Sequence, residues 1–414
     1  MTDGAHLGDA GWLKDGAIAR LLALLDRDGE EARVVGGAVR NALMKLPVGE
    51  IDVATTAVPQ DVVRRVEAAG LKAVPTGIEH GTVTVVVDGH PFEVTTLRVD
   101  IETYGRKAKV VFGRDWQADA ARRDFTINAL SASPDGRVYD YVGGLADIAA
   151  HRVRFIGDPA ARIVEDYLRI LRFFRFHAWY GQGVPDATGL RACIAARSGL
   201  DTLSRERVRM ELLKLMLAPH ATPTLAVMAE AGILGTVLGG VPLLASFENT
   251  VKAEAAIGAK PDATRRLGAL GVHVMEDAER LAQRLRLSNA EFERLVALEY
   301  WWRVRPAAGE HAAHVLLYQL GPAFFTDRVL IAWSRFDAGA ADHAWHELAT
   351  LPQRWTAPGF PLKATDFFNR GVPKGPEMGA ALRTAEQAWI DADFPADRAA
   401  IDMIADRAAK PRSA

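Results

Sequence analysis

The sequence predicts an α+β chain, with a small mixed sheet and its helices over the first 150 residues and a long helical body after them. Three observations lead there. Short β-like runs alternate with helical ones up to about residue 150. Asp88-Gly89 joins two alternating apolar runs, a strong hairpin signal. Beyond about Asp158 the apolar spacing turns helical and stays so, interrupted only by Gly and Pro.

Taken in order, Arg33-Val-Val35 reads as a strand ending at Gly36-Gly37, with a helix from Ala38 to Lys45. Ile51–Ala54 reads as a second strand, and Pro59–Ala68 as a helix with proline in its first turn. Gly81–Val87 and His90–Thr96 are the hairpin strands. Pro159–Tyr180 has helical spacing throughout, with Ile163, Leu168, Leu171 and Phe174 interleaved with arginines. Further helices are expected over Arg205–Leu217, Glu276–Leu287, Asn289–Trp302 and Glu377–Ala392.

The chain has 414 residues, too many for one ordinary domain, and its 49% hydrophobic and 25% charged residues suit a soluble globular protein. The lone Cys193 cannot form an internal bridge, which fits a reducing compartment and excludes a cysteine-rich zinc module. Met1–Gly16 lacks the apolar core of a signal peptide. The most apolar long window, Ala226–Ala245, is interrupted by Glu230, glycines and Pro242, so two helix ends around a turn are expected there and no membrane span. A cytoplasmic protein is the expectation. A net charge of −2 argues for a localised nucleic-acid surface or for none.

Several residues have the chemistry of a site. Glu50 and Asp52, two apart on an expected strand, would face the same way and hold a hard cation such as magnesium; a solvated strand end would show the same pair. Glu93, on a hairpin strand, would complete a three-carboxylate site or lie exposed. Gly36-Gly37 ends a strand and opens a helix, so backbone N–H groups can approach a phosphate, with Arg40 one turn in; an ordinary tight turn is the alternative. In Arg122–Leu130, Arg123 could bind phosphate, while Asp124 and Asn128 would share a helix face. Asp166, Arg169, Arg172 and Arg175 step by three along one expected helix. Asp only accepts hydrogen bonds and Arg only donates. Such a pair matches cytosine (N4 amino, N3) and adenine (N6 amino, N1), and it repels the carbonyl edges of uracil and guanine. A solvated helix laced with ion pairs is the plainer alternative. The basic, amphipathic stretch Arg205–Lys214 would touch RNA phosphates, support this helix, or form a charged outer face.

In order and spacing, VVGGAVRNALMKLPVGEIDVATTA, TGIEHGTVTVVV, PFEVTTLR, ARRDFTINAL, YDYVGGLADI and IGDPAARIVEDYLRILRFFRF resemble the bacterial class II tRNA nucleotidyltransferase and poly(A) polymerase family. The resemblance spans roughly 30–220 and is weaker at RLRLSNAEFERL and at GVPKGPEMGAAL with Trp389. It implies a lead-in over 1–30, a polymerase-β-like nucleotidyltransferase head over 31–150, a helical neck over 151–220, and a helical, tRNA-binding body and tail over 221–414. It also implies addition of CMP and AMP from CTP and ATP to the 3′ end of tRNA, with no membrane and no protein partner. By the same resemblance Gly37 and Arg40 hold the triphosphate, Glu50 and Asp52 bind magnesium, Arg123 contacts nucleotide, and Asp166 and Arg169 read the base beside Arg172 and Arg175. Two positions depart from the family pattern: Glu50 and Asn41 stand where aspartates are usual. Poly(A) polymerase, a partial CC- or A-adding enzyme, and a non-catalytic RNA-binding relative remain the alternatives.

Overall fold

The structure, a computed structural model, describes residues 5–8, 10–14, 16–104, 107–336 and 338–410. Parts of the Met1–Gly16 stretch therefore lie outside the described residues. The chain forms two compact units, Met1–Pro242 with Gln283–Arg286, and Leu243–Ala282 with Leu287–Ala414.

The first unit opens with helix α1 (Gly16–Leu25), strand β1 (Ala32–Val35), helix α2 (Gly37–Leu43), strand β2 (Asp52–Thr55) and helix α3 (Pro59–Ala68). Strands β3 (Lys72–Gly77), β4 (Thr82–Val87) and β5 (His90–Thr96) follow. Asp88 and Gly89 both take positive φ, 50° and 81°, as the tight β4–β5 turn requires. A separate antiparallel pair, β6 (Arg98–Tyr104) and β7 (Lys107–Phe112), was not legible in the sequence. Helix α4 (Trp116–Ala121) leads to the short strands β8 (Ser131–Ala132) and β9 (Val138–Tyr139) and to helix α5 (Gly144–Ala149).

The main sheet runs β3-β4-β5-β2-β1-β8-β9. Its one parallel pairing, β2 with β5, sets Asp52 beside Glu93 and Val53 beside Val94. Side chains alternate across the sheet. Val34, Val53, Val83, Val85, Phe92 and Val94 pack with Leu21, Leu22 and Leu25 of α1 and Val62 and Val66 of α3. The opposite parity, including Asp52 and Glu93, falls on the face where Val35, Ala54, Leu97 and Trp116 form a smaller cluster. The alternation that builds the core therefore puts the carboxylates on the other side.

The expected continuous helix over Pro159–Tyr180 is in fact two, α6 (Pro159–Glu165) and α7 (Leu168–Tyr180). Asp166 between them is extended (φ −157°, ψ 105°). Its carboxylate accepts from the Leu168 N–H (3.1 Å), serving a donor at the start of α7. Helices α8 (Ala187–Ala195), α9 (Arg205–Met216), α10 (Ala221–Glu230) and α11 (Ile233–Leu238) complete the unit. Gly232 turns the chain between α10 and α11, so the apolar 226–245 window holds the end of α10, all of α11 and the start of α12, a whole helix more than the two helix ends expected.

The second unit is helical. Helices α12 (Leu244–Ala256), α13 (Ala263–Gly271), α15 (Asn289–Val296) and α16 (Glu310–Arg335) are joined by a buried ionic network; α14 (Met275–Leu285) lies between α13 and α15 in the chain. Glu254 accepts from Arg265 and Arg266, each at 2.8 Å, and Asp327 accepts from Arg265 (2.8 Å) and Arg294 (2.7 Å). By length and composition α16 is apolar enough to cross a membrane; it kinks at Gly321-Pro322, and Phe325, Val329, Leu330 and Ile331 in its second half are buried in the unit. The expected helix over Asn289–Trp302 ends early, at Val296. Toward the C-terminus, α17 (His343–Ala349), α18 (Leu351–Arg354), α19 (Ala364–Phe368), α20 (Pro376–Asp391) and α21 (Arg398–Ala408) follow.

Glu254 is 1% exposed between two buried arginines. Truncating it removes a buried carboxylate from both arginines, although Arg265 keeps Asp327, so Glu254→Ala should cost about 3–5 kcal/mol in urea unfolding. A loss under about 1 kcal/mol would show that the network does not hold these helices.

Candidate active site

The site is built on the open face of the sheet and the turns around it. Asp52 is the first residue of β2, and Glu93 is its neighbour on β5. Glu50 lies outside the strand, in the loop before it, so the expected pair on one strand is corrected to one strand residue and one loop residue. All three side chains are exposed, and none has an ion-pair partner among the described residues. Partial burial, then the charges of Glu93 and Glu50, push the Asp52 carboxyl above the ordinary range, with Arg123 pulling it back. Among the described residues no three His, Cys, Asp or Glu side chains are grouped so as to hold a metal ion, so of the two expectations for Glu93 the arrangement favours an exposed strand residue over the third member of a metal site. One or two carboxylates with substrate phosphate and water is nonetheless an ordinary magnesium donor set. The crowded negative charge at Asp52 fits such a cation.

Gly36 ends β1 with φ 67°, a conformation that favours glycine. A Cβ there would also stand 3.3 Å from the Arg123 guanidinium. Arg123 thus lies against the glycine turn and near Asp52; its own partner is Asp119, at 3.2 Å. Gly37 opens α2, and its missing Cβ would be 3.6 Å from Arg40 Nη2. Arg40 does not reach into solvent. It is 6% exposed, donates to Asn128 and to the Tyr180 hydroxyl (2.7 Å), and lies 3.9 Å from the Tyr180 ring centre. Asn41 also accepts from it, at 2.9 Å.

Asp124 and Asn128 do meet, at 3.0 Å, but across a single 3₁₀ turn (Thr126–Asn128) instead of an α-helix face. Asp124 also accepts from Arg172 at 2.8 and 2.5 Å. Burial pushes the Asp124 carboxyl up, but Arg172 and the hydrogen bonds from Asn128 and the Phe125 N–H outweigh it and leave it below the usual range.

The expected ridge of Asp166, Arg169, Arg172 and Arg175 divides at the α6–α7 break. Only the arginines share α7, and each is held by an acid. Arg169 donates to Glu165 (2.5 Å) and the Arg162 carbonyl (2.7 Å), and Arg175 to Glu211 (2.5 Å). Arg172 bridges Asp124 and, at 3.6 Å, Glu211. Asp166 is paired with Arg207 of α9 at 2.6 Å, not with Arg169. The stretch Arg205–Lys214 contacts this segment through Arg207 and Glu211, the supporting role that was one of its three expected readings, while Glu165, Asp119 and Tyr180 were given no role by sequence reasoning. Glu211 had a signal: it lies on the apolar stripe Val208, Leu212, Leu215 of an amphipathic helix, where a charge needs a buried partner.

Residues 32–154 match the family described as "Poly A polymerase head domain", and residues 188–247 match "Probable RNA and SrmB-binding site of polymerase A". The chain is 34% identical to mitochondrial CCA tRNA nucleotidyltransferase 1 of Mus musculus, over 90% of this chain and 86% of the relative. It is 32% identical to the CCA-adding enzyme of Limosilactobacillus fermentum, over 91% and 93%. The fold matches that of the Bacillus stearothermophilus CCA-adding enzyme in complex with CTP with a TM-score of 0.75 and 27% identity, covering 94% of this chain and 96% of that one.

The crowding around Asp52 has a measurable consequence. Glu93→Gln should move Asp52 ionisation to lower pH in a carbon-13 carboxyl titration, because it removes a like charge. A carboxyl raised by folding favours the folded state below its unfolded pKa and loses that contribution as pH rises through its folded pKa. The variant should therefore also lose less stability over that window. An unchanged Asp52 titration would mean that the two groups do not interact.

Proposed function

Since the chain belongs to the CCA tRNA nucleotidyltransferase family, we propose that it adds CMP and AMP from CTP and ATP to the 3′ end of tRNA without a template, releasing pyrophosphate. The observation that carries the reading is the placement of Asp52 and Glu93 in register on one sheet face, with Arg123 and the Gly36-Gly37 turn beside them. Members of the family use a divalent metal; magnesium, held by Asp52 and Glu50 with substrate phosphate, is the ion we assign. A bound ion of this kind lowers the barrier by neutralising charge that develops at phosphorus and on the leaving group. Glu93 adds to the negative potential that draws the ion in.

In this reading Gly37 presents backbone to the triphosphate, and Arg40 and Arg123 supply positive charge around it. Asp166 accepts from the amino group of cytosine or adenine, and Arg169 donates to the adjacent ring nitrogen, with Arg172 and Arg175 beside them. A carboxylate has about four lone-pair sites, so Asp166 can bind Arg207 and the Leu168 N–H and still accept from a base. Arg207 is then the residue that aims it. A cytoplasmic location is proposed on the single, buried Cys193, while the mouse relative is named as mitochondrial.

The deciding assay supplies tRNA lacking its 3′ end, magnesium and each NTP in turn to the purified protein. Ordered addition of C, C and A supports the reading. A-only extension without limit points to poly(A) synthesis, CC alone or A alone to a partial enzyme, and no transfer to a non-catalytic RNA-binding relative.

Asp52→Ala should lower the single-turnover rate by roughly a hundred- to thousandfold or more, since charge stabilisation at the reacting centre is a large contribution to catalysis. Near-normal incorporation by the folded variant would sink the assignment.

Asp166→Ala should reduce selectivity for CTP over UTP by roughly ten- to a hundredfold, the scale of one bidentate base contact. Arg207→Ala should reproduce part of that loss. A uniform drop in rate with selectivity intact would make Asp166 a structural residue.

A further inference from the structure

The second unit carries arginines that have no ion-pair partner among the described residues. Between α15 and α16 the chain runs Tyr300-Trp-Trp-Arg-Val-Arg305. Trp301 anchors the segment: it is 9% exposed, packs on Phe336 with ring centres 5.8 Å apart, and donates to the His273 carbonyl at 3.2 Å. The rings on either side of it are left open. Tyr300 is 41% and Trp302 38% exposed, with ring centres 5.5 Å apart at 62°. Tyr300 takes φ 64°, unusual for an aromatic residue and a conformation that persists only where surrounding structure enforces it.

One arginine lies against the Tyr300 ring, and a second lies further along the segment. The Arg303 guanidinium lies 4.6 Å from the Tyr300 ring centre, and that of Arg305 lies 3.6 Å from the Phe336 ring. Both arginines are exposed, and neither has an ion-pair partner among the described residues. Beside them is a cavity of about 310 Å³ lined by Tyr300, Arg303, Arg305 and Arg328. Arg328 is fixed to the Ala297 carbonyl at 2.5 Å, with Glu299 the acid whose charge it feels. The cavity is at the small end of ligand-sized sites.

We propose that this surface binds one unpaired nucleotide of the tRNA substrate, with its base stacked on Tyr300 or Trp302 and its phosphate held by Arg303 and Arg305. The proposal rests on the reading of the chain as a tRNA-extending enzyme. Open aromatic faces interleaved with arginines form the usual platform for an unstacked nucleotide. An acidic peptide would use the arginines but has no need of two open rings. A near-neutral protein must also concentrate its phosphate contacts where its cations are not neutralised by its own acids.

The test measures binding of labelled tRNA lacking its 3′ end to the full chain by fluorescence anisotropy, without NTP, over a range of salt. The double variant Y300A/W302A should bind about five- to a hundredfold more weakly, the range of one lost stacking contact. Y300F/W302F, which keeps both rings, should bind like the parent. R303A/R305A should reduce the slope of log affinity against log salt by about one to two, as expected for lost phosphate contacts. Unchanged affinity and salt slope in folded alanine variants would overturn the proposal, and so would an equal loss in the phenylalanine variant. A parent protein that binds tRNA through this surface yet transfers no nucleotide would sink the enzymatic reading and leave the surface standing.

Discussion

The half-buried carboxylate of Asp124 organises the candidate site. It accepts from Arg172 of α7, from Asn128 and from the Phe125 N–H. Asn128 in turn accepts from Arg40, which lies against Tyr180 at the far end of α7. Arg172 and Arg175 both reach Glu211 of α9. One carboxylate therefore connects the helix after the glycine turn, the helix with the arginines and the helix behind it. Its depressed pKa means that the linkage contributes stability above the unfolded carboxyl pKa and is lost as pH falls through the folded one. Leaving such a network partly satisfied would be costly, so each member restricts where the others can sit.

The charges around this centre are distributed unevenly. Arg123, Arg169, Arg172 and Arg175 all have acidic partners inside the protein, whereas Glu50, Asp52 and Glu93 have no basic ion-pair partner among the described residues. Internal partners weaken the pull of an arginine on an incoming phosphate, but they fix the guanidinium in place, which lowers the ordering cost of binding. The unpaired carboxylates have the opposite property: their mutual repulsion, which adds to burial in raising the Asp52 carboxyl, would be relieved by a cation. In the proposed reading, an ion and a triphosphate bound together would satisfy both halves, which neither would alone.

Much of the head was legible because periodicity encodes it directly. The hairpin at Asp88-Gly89, the proline-led α3 and the strand and helix around Gly36-Gly37 lie within a few residues of where the pattern puts them. The break between α6 and α7 was not legible, since no Gly or Pro marks it and the three-residue step from Asp166 to Arg175 continues a helical pattern. The break depends on Asp166 capping Leu168 and meeting Arg207, a residue far along the chain. The same limit applies to the site. Residue types point to cation, phosphate and base chemistry, but Arg40 meets Tyr180 and Asp124 meets Arg172 through packing that no local pattern states. Glu50 shows the limit at short range: spacing placed it on a strand face, while the strand begins only at Asp52.

Charge pairing also bears on how a protein with net charge −2 can engage RNA. Its basic and acidic residues nearly balance, and many of the arginines lie against acids within their own unit, as with Arg265 and Arg266 on Glu254 or Arg370 on Asp402 and Asp406. Such pairs contribute little field at a distance, because opposite charges a few ångströms apart cancel and salt screens the remainder. A broad electrostatic grip is therefore not available to this chain, and the sequence-independent share of its RNA affinity must come from a few places where arginines lack acids. In those places aromatic stacking, which salt screens far less than ion contacts, can make up for sparse charge. The exposed rings beside Arg303 and Arg305 have that composition, and the buried Trp301 between them anchors the segment.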